Sequence, residues 1–207
     1  MTAKENQNKT AVLIECAILV ALSVVLSMVK VYHLPHGGSI TLLSMLPVCL
    51  ISIRHGLKWG VGSAFVYSVI QFVLGIIFDG VLGWGLSAGI FVAMIIFDYL
   101  IAFTVLGLAG VFRKFGFVGI MLGTALAIFL RFVSHFISGW VLWTNLDAFE
   151  FFNISFSAGQ PVLYSLLYNG SYMIPEMIFT MIAAPLVFKG IDKYLKSRHT
   201  SITGQNS

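Results

Sequence analysis

The sequence predicts an all-α membrane protein: six transmembrane helices in one compact bundle, with both termini in the cytoplasm. Three observations carry this. The 207 residues are 58% hydrophobic and only 10% charged, against ~25% charged in a water-soluble domain, so most of the exterior must face lipid. Apolar runs recur at close to the length of about 20 residues that a helix needs to cross ~30 Å of hydrocarbon. Lys and Arg gather on one side of the topology those runs define. A soluble enzyme, a disordered chain and a nucleic-acid binder working in bulk water are thereby excluded, and the formal charge of +4 records orientation.

Taken in order, residues 1–10 form a polar cytoplasmic head with Lys4 and Lys9. Ala11 to Val29 is the first span. Its apolar stretch exceeds the ~7–15 residues of a signal peptide and no A-x-A pattern follows, so it is kept rather than cleaved. Ile40 to Ile53 is second, short and broken by Pro47, and is expected to enter obliquely or leave part of its path as ordered loop. Leu57 to Phe78 is third, ended by the Gly-rich break at Asp79, Gly80, Gly83 and Gly85. The fourth runs from about Leu86 to Phe112, before a tight polar turn at Arg113, Lys114, Phe115 and Gly116. The fifth, Phe117 to Trp143, is interrupted by Arg131 and His135. After the long polar loop Asn145 to Gln160, Pro161 opens a sixth span ending near Phe188. Residues 11–195 thus read as one six-helix domain without internal repeats, and 196–207 as a polar, frayed tail. Cys16 and Cys49 lie in apolar runs and read as small buried hydrophobes, with no disulfide framework and no metal site.

Charge gives an independent check. Six spans put the termini and the loops after spans two and four on one side, and that side carries ten of the twelve Lys and Arg residues. The other side has only Lys30, with Asp79, Asp147 and Glu150. This asymmetry places both ends inside.

Ionisable groups within the spans are expensive and mark functional sites by default. Glu15, Asp98, Arg131, His135 and Glu176 are the candidates. Asp98 interrupts an otherwise apolar stretch from Met94 to Phe103; its alternative is an ion pair with Arg131 that only ties two helices together. Arg131, His135, Gly139 and Trp143 recur in steps of four and share a drifting stripe. On that stripe Gly139, between an imidazole and an indole, leaves room for a flat ring. A lone helical His is equally compatible with a satisfied core position. Asn169, Tyr172 and Glu176 share a face of the sixth span. Tyr164 is about 140° from Asn169 on an ideal helix, so the two converge only if the first turn is distorted. Tyr168 and Tyr172 read as a packing seam or an interfacial belt, and Glu176 as a structural partner for Arg131. An acid, an imidazole, an indole, a phenol and an amide at the outer ends of spans four to six suit a small, flat, cationic aromatic ligand. No phosphate loop, H-E-x-x-H or G-x-S-x-G motif occurs. His33 and His36 read as solvated loop residues. Small-residue pairs Ala17/Ala21, Gly56/Gly60 and Gly119/Gly123 mark close helix approaches, most of them within the bundle.

These residues resemble a known family: the thiamine-specific substrate-binding components of energy-coupling factor (ECF) transporters, the ThiT/YuaJ-like family. The resemblance rests on His36-Gly-Gly-Ser39, Pro47 with Ile53-Arg54-His55-Gly56, Asp98-Tyr99-x-x-Ala102-Phe103 through Gly107 and Ala109-Gly110, His135-Phe-Ile-Ser-Gly139 with Trp143, and Tyr164-Ser-Leu-Leu-Tyr168-Asn169-Gly170, in order over about residues 10 to 195. It implies a multi-pass plasma-membrane protein, of a Gram-positive-type bacterium, that binds thiamine at the extracellular side. It also implies a partner module of a transmembrane coupling protein (T component) and two cytoplasmic ATPases; ATP is used only there, and the chain needs no cofactor. The family's ligand-contacting residues fall on Asp98, Tyr99, His135, Trp143, Tyr164 and Asn169, and its coupling-protein contact on Ala17 and Ala21. Some members also carry an acid and a Trp near the start of span two, where this chain reads Gly37-Gly38-Ser39-Ile40-Thr41-Leu42. The segment after span three is longer than in compact members, with Asp79 and Trp84 as possible substitutes.

Besides a purely structural or regulatory membrane protein that binds no small molecule, two other readings remain at this level. One is a related subunit for another vitamin or a precursor such as hydroxymethylpyrimidine. The other is an intramembrane enzyme using Asp98, His135 and Glu176 as acid–base groups, which lacks a nucleophile or metal constellation.

Overall fold

A computed structural model of the chain describes residues 9–34, 37–41, 43–142, 149–151, 154–156 and 160–204. The first helix, α1 (Lys9–Met28), has no Gly or Pro, and at 1.5 Å per residue its length is about 30 Å. The chain then turns through an antiparallel hairpin of β1 (Lys30–His33) and β2 (Ser39–Thr41).

Next come α2 (Met45–His55), α3 (Leu57–Phe78) and α4 (Ala88–Leu108). After the tight turn at Arg113–Phe115, α5 (Gly116–Leu142) follows. A small pair, β3 (Phe149–Phe151) with β4 (Ile154–Phe156), precedes α6 (Pro161–Gly204). Five of these helices are long and apolar enough to cross a bilayer.

The second apolar run departs from a simple span. Its first residues pair as β2, and only 11 residues are helical, about 16 Å of rise. Pro47 sits in the first turn of α2, where a backbone N–H has no helical acceptor to lose. Every residue from Met45 to Ile53 is buried, so this run is apolar because it is the centre of the bundle. The last helix departs the other way: it continues past Phe188 to Gly204 with Pro175 and Pro185 inside it, so the backbone of most of the tail expected to fray is helical.

Glycines set the closest crossings. A Cβ on Gly107 would lie 2.5 Å from the Val61 backbone, and one on Gly60 would lie 2.4 Å from Ser52 Cβ. Gly119 and Gly123 likewise meet the carbonyls of Phe112 and Ala109. These small residues pack the protein's own bundle. Ala17 and Ala21 differ, standing exposed on the outer face of α1 among Ile14, Ile18 and Leu22.

The polarity is inverted relative to a soluble protein. Ile18, Leu122, Phe129 and Phe179 are exposed, whereas Ser52, Ser68, Ser138 and Thr180 are fully buried. Lipid satisfies the first set; in the second, the Ser52, Ser68 and Ser138 hydroxyls make internal hydrogen bonds, while the Thr180 hydroxyl has no partner among the described residues. The two ends of the bundle are chemically distinct. At one, Arg54 and His55 engage Glu15, and Arg113 donates to the carbonyls of Ile53 and Arg54. At the other, Lys30 pairs with Asp79 at 2.8 Å beside the hairpin.

Candidate ligand-binding cavity

A cavity of about 390 Å³ opens between the β1–β2 hairpin, the end of α1, the start of α2 and helices α3 to α6. Its size falls within the range of small-molecule sites. Asp98 enters it from a segment of α4, Ile95–Ile101, where the helix widens to i→i+5 hydrogen bonding. Such a turn holds one residue more than an α-turn, and it is found most often at functional positions. It also disturbs the backbone carbonyls, and the Ser134 hydroxyl of α5 donates to that of Phe97 at 2.6 Å.

Both Asp98 oxygens are occupied. Oδ2 accepts from the Ser138 hydroxyl at 2.5 Å, and Oδ1 lies 3.0 Å from His135 Nδ1. Arg131 Nε donates to His135 Nε2 at 3.4 Å. An Nε2 that accepts leaves the proton on Nδ1, so the imidazole is neutral and donates to Asp98. The Arg131 guanidinium lies 4.2 Å from the centroid of the Phe103 ring, a cation–π contact. The Asp98–Arg131 tie considered from sequence is therefore replaced by a relay through His135.

The α6 wall is built around Asn169, 4% exposed. Its Nδ2 donates to the His135 carbonyl at 3.2 Å and the Ser165 carbonyl at 3.0 Å, and its Oδ1 accepts from the Tyr172 hydroxyl at 2.8 Å. An amide held at both ends presents a fixed face. Tyr164 stacks on Tyr168 with centroids 6.0 Å apart and planes 4° from parallel, and the Tyr168 hydroxyl accepts from Gly38 N of the hairpin region. Tyr99 leans on α3, its hydroxyl taking the space a Gly75 side chain would need, and packs edge-on to Phe72.

Asp98, Tyr99, His135, Tyr164 and Asn169 thus all line one cavity; Trp143 lies outside the described residues. Several expectations are corrected. The first turn of α6 is helical, yet Tyr164 and Asn169 both line the cavity. The cavity covers a wide face of that helix, and no distortion is needed. Gly139 lines the cavity, and its missing side chain also admits α6, since a Cβ there would lie 2.3 Å from Ser165 Oγ. Tyr168 and Tyr172 are cavity wall rather than a lipid-facing belt. Glu176 does not pair with Arg131: its Oε1 accepts from the backbone N–H and the hydroxyl of Thr41. Asp79 and Trp84 do line the cavity, joined by a bond from Trp84 Nε1 to the Asp79 carbonyl. His33 lies 3.8 Å from Asp79, and His36 is outside the described residues. Sequence reasoning missed Ser138 and Ser165, whose only signal was their three- and four-residue spacing from His135 and Asn169.

A half-buried acid, a neutral imidazole, an amide and stacked phenols around a cavity inside a lipid-facing bundle define a multi-pass membrane protein with an interior suited to a small polar aromatic molecule. Comparison with known proteins is more specific. The family described as thiamine transporter protein (Thia_YuaJ) matches residues 13–196, and the chain belongs to that family of bacterial cell-membrane proteins. The thiamine transporter ThiT of Bacillus subtilis strain 168 is 32% identical over 208 residues, 93% of this chain and 98% of the relative. The thiamine transporter ThiT of Lacticaseibacillus paracasei strain ATCC 334 is 25% identical, covering 86% of this chain and 87% of the relative. A solved structure of ThiT from Listeria monocytogenes aligns with TM-score 0.65 over 89% of this chain and 97% of that one, at 21% identity; it shares the fold.

Proposed function

We propose that this chain is the thiamine-binding membrane subunit of an ECF importer. Family membership supports thiamine as the ligand. The observation that carries the site is the Asp98–His135–Asn169 network on the cavity wall. A neutral imidazole and a carboxylate side by side, with a fixed amide adjoining, can read the donors and acceptors of an aminopyrimidine ring. Tyr99 and Tyr164 supply the flanking rings, and Trp143 is assigned a stacking role with them.

The hairpin end of the cavity, with Lys30 and Asp79, is assigned to the extracellular side. The end carrying Arg54 and Arg113 is assigned to the cytoplasm, where positive charge accumulates. The chain carries no nucleotide-binding motif of its own, so energy comes from partner chains: a membrane coupling protein, seated on the exposed Ala17 and Ala21 face of α1, and two cytoplasmic ATPases. ATP hydrolysis there reorients this subunit so that the cavity faces inward. The chain is a binder and not an enzyme, and it requires no cofactor.

Isothermal titration of the purified protein tests the assignment. Thiamine is expected to bind with Kd below about 1 μM, and absence of binding at that level rejects it. Competition by hydroxymethylpyrimidine at equal or higher affinity would instead identify a precursor transporter. Recovery of chemically altered ligand after incubation would point to catalysis.

A further inference from the structure

Glu176 is the charged group in the cavity that this reading leaves unused. It lies on α6 one turn beyond Tyr172, lines the cavity, and is 4% exposed. Its two oxygens have different surroundings. Oε1 accepts from the Thr41 backbone N–H and from the Thr41 hydroxyl, the latter at 2.6 Å, and so ties β2 to α6. Oε2 is buried and has no hydrogen-bond partner among the described residues. An ionised oxygen removed from water without a donor or counter-charge is strongly disfavoured. Anchoring the hairpin requires only Oε1, and a neutral side chain with one acceptor could do that.

Among the described residues, the protein's own cations do not answer Oε2. Arg131 lines the same cavity but lies over Phe103 and donates to His135, and Lys30 is paired with Asp79. Among the described residues, the ionisable side chains other than tyrosine lining the cavity are three carboxyl groups (Asp79, Asp98, Glu176) against Lys30, Arg131 and a neutral His135, so with all three carboxyl groups ionised a monocation would balance the set. Asp98 already carries two donors, from Ser138 and His135. The uncompensated acceptor is on α6.

We infer that Glu176 is a second anionic contact in the site, its carboxylate set against the permanent positive charge of the ligand while Asp98 serves the hydrogen-bonding ring. This deepens the thiamine reading and rests on it. In thiamine the permanent charge is on the thiazolium ring, so Glu176 sets the preference for that charged ring over a neutral one of the same shape.

The experiment is a titration of the detergent-purified full chain and its Glu176→Gln variant with two probes: thiamine, and a neutral isostere in which carbon replaces the quaternary nitrogen. Gln keeps an acceptor for Thr41 but loses the charge. The variant is expected to lose at least tenfold more affinity for thiamine than for the isostere. Thr41→Val, which removes a hairpin bond and leaves the carboxylate, is expected to keep the wild-type ratio of the two affinities. Equal loss for both probes in Glu176→Gln, no loss for either, or a changed ratio in Thr41→Val would overturn the inference and leave Glu176 as a hairpin anchor. Should Glu176→Gln fail to fold, Glu176→Asp, which withdraws the charge by one methylene, is read the same way: a reduced ratio supports the inference and equal loss overturns it. Wild-type protein that binds neither probe overturns the thiamine reading itself, a result distinct from any of these.

Discussion

Asp98 holds its place through other side chains: Ser138 and His135 occupy its oxygens, and Arg131 fixes the imidazole from behind. Replacing it by Asn keeps the shape and removes the charge. Charge-assisted bonds contribute about 1.5–3 kcal/mol, so Asp98→Asn is expected to weaken thiamine binding roughly 10–100-fold by titration, and unchanged affinity would mean the charge is met elsewhere. Ser138→Ala removes one donor and should cost about 1–2 kcal/mol, roughly 5–30-fold in affinity. Asp98, His135 and Asn169 were legible in the sequence because a polar residue in an apolar helix stands out against its neighbours. Ser138, Tyr168 and Tyr172 were not, because Ser and Tyr are common in membrane helices for other reasons, such as small-residue packing and interfacial belts. The partners of Glu176 and Arg131 were also hidden. They depend on which side chains meet across helices, and spacing along one helix carries no information about that.

Helices explain why the cavity has its shape. At Gly139 α5 lets α6 approach, with Ser165 Oγ donating to the Phe136 carbonyl at 2.8 Å alongside. Gly139→Ala puts a methyl 2.3 Å from that oxygen. The helices must separate or Ser165 must turn, and overpacking of this kind costs about 1–3 kcal/mol. A lower melting temperature is expected, together with weaker thiamine binding because Asn169 moves with Ser165. Retention of both would show that the contact is soft. Hydropathy located α1, α3, α4 and α5 and the start of α6 to within a few residues, since the length of an apolar run and the thickness of lipid are the same constraint; it missed the end of α6, where the helix continues as a polar segment. It failed at α2, where the run is apolar through burial in protein; hydropathy does not distinguish a protein interior from a bilayer.

For the molecule as a whole, the separation of charge between its ends supports the proposed orientation, in which both termini lie in the cytoplasm. With both termini inside, Gly80→Cys is expected to react with a membrane-impermeant maleimide on intact cells and Gly204→Cys only after lysis; the reverse pattern would invert the topology. The native Cys16 and Cys49 are buried and serve as the unlabelled background. Ala17→Trp with Ala21→Trp places bulk on an exposed face remote from the cavity lining. The pair is expected to abolish co-purification of the coupling protein while thiamine affinity stays at the wild-type value. Loss of both together would mean the α1 face supports the site instead. One lipid-facing helical bundle was legible in composition. The hairpin that lines the cavity was not, because β1 and β2 are four and three residues long and pair with a register shift, too short and irregular to give an alternating pattern.

The widened turn at Ile95–Ile101 has a consequence for descent. A helix that carries one surplus residue has slack. Losing a residue there would let the turn tighten to ordinary pitch, so Met94 above and Gly107 below could keep their neighbours. Deletion of a single position should therefore be survivable in this stretch. The side chain in between would swing by about 100°, and a lineage that shed the residue would keep a sound membrane protein while giving up its cargo.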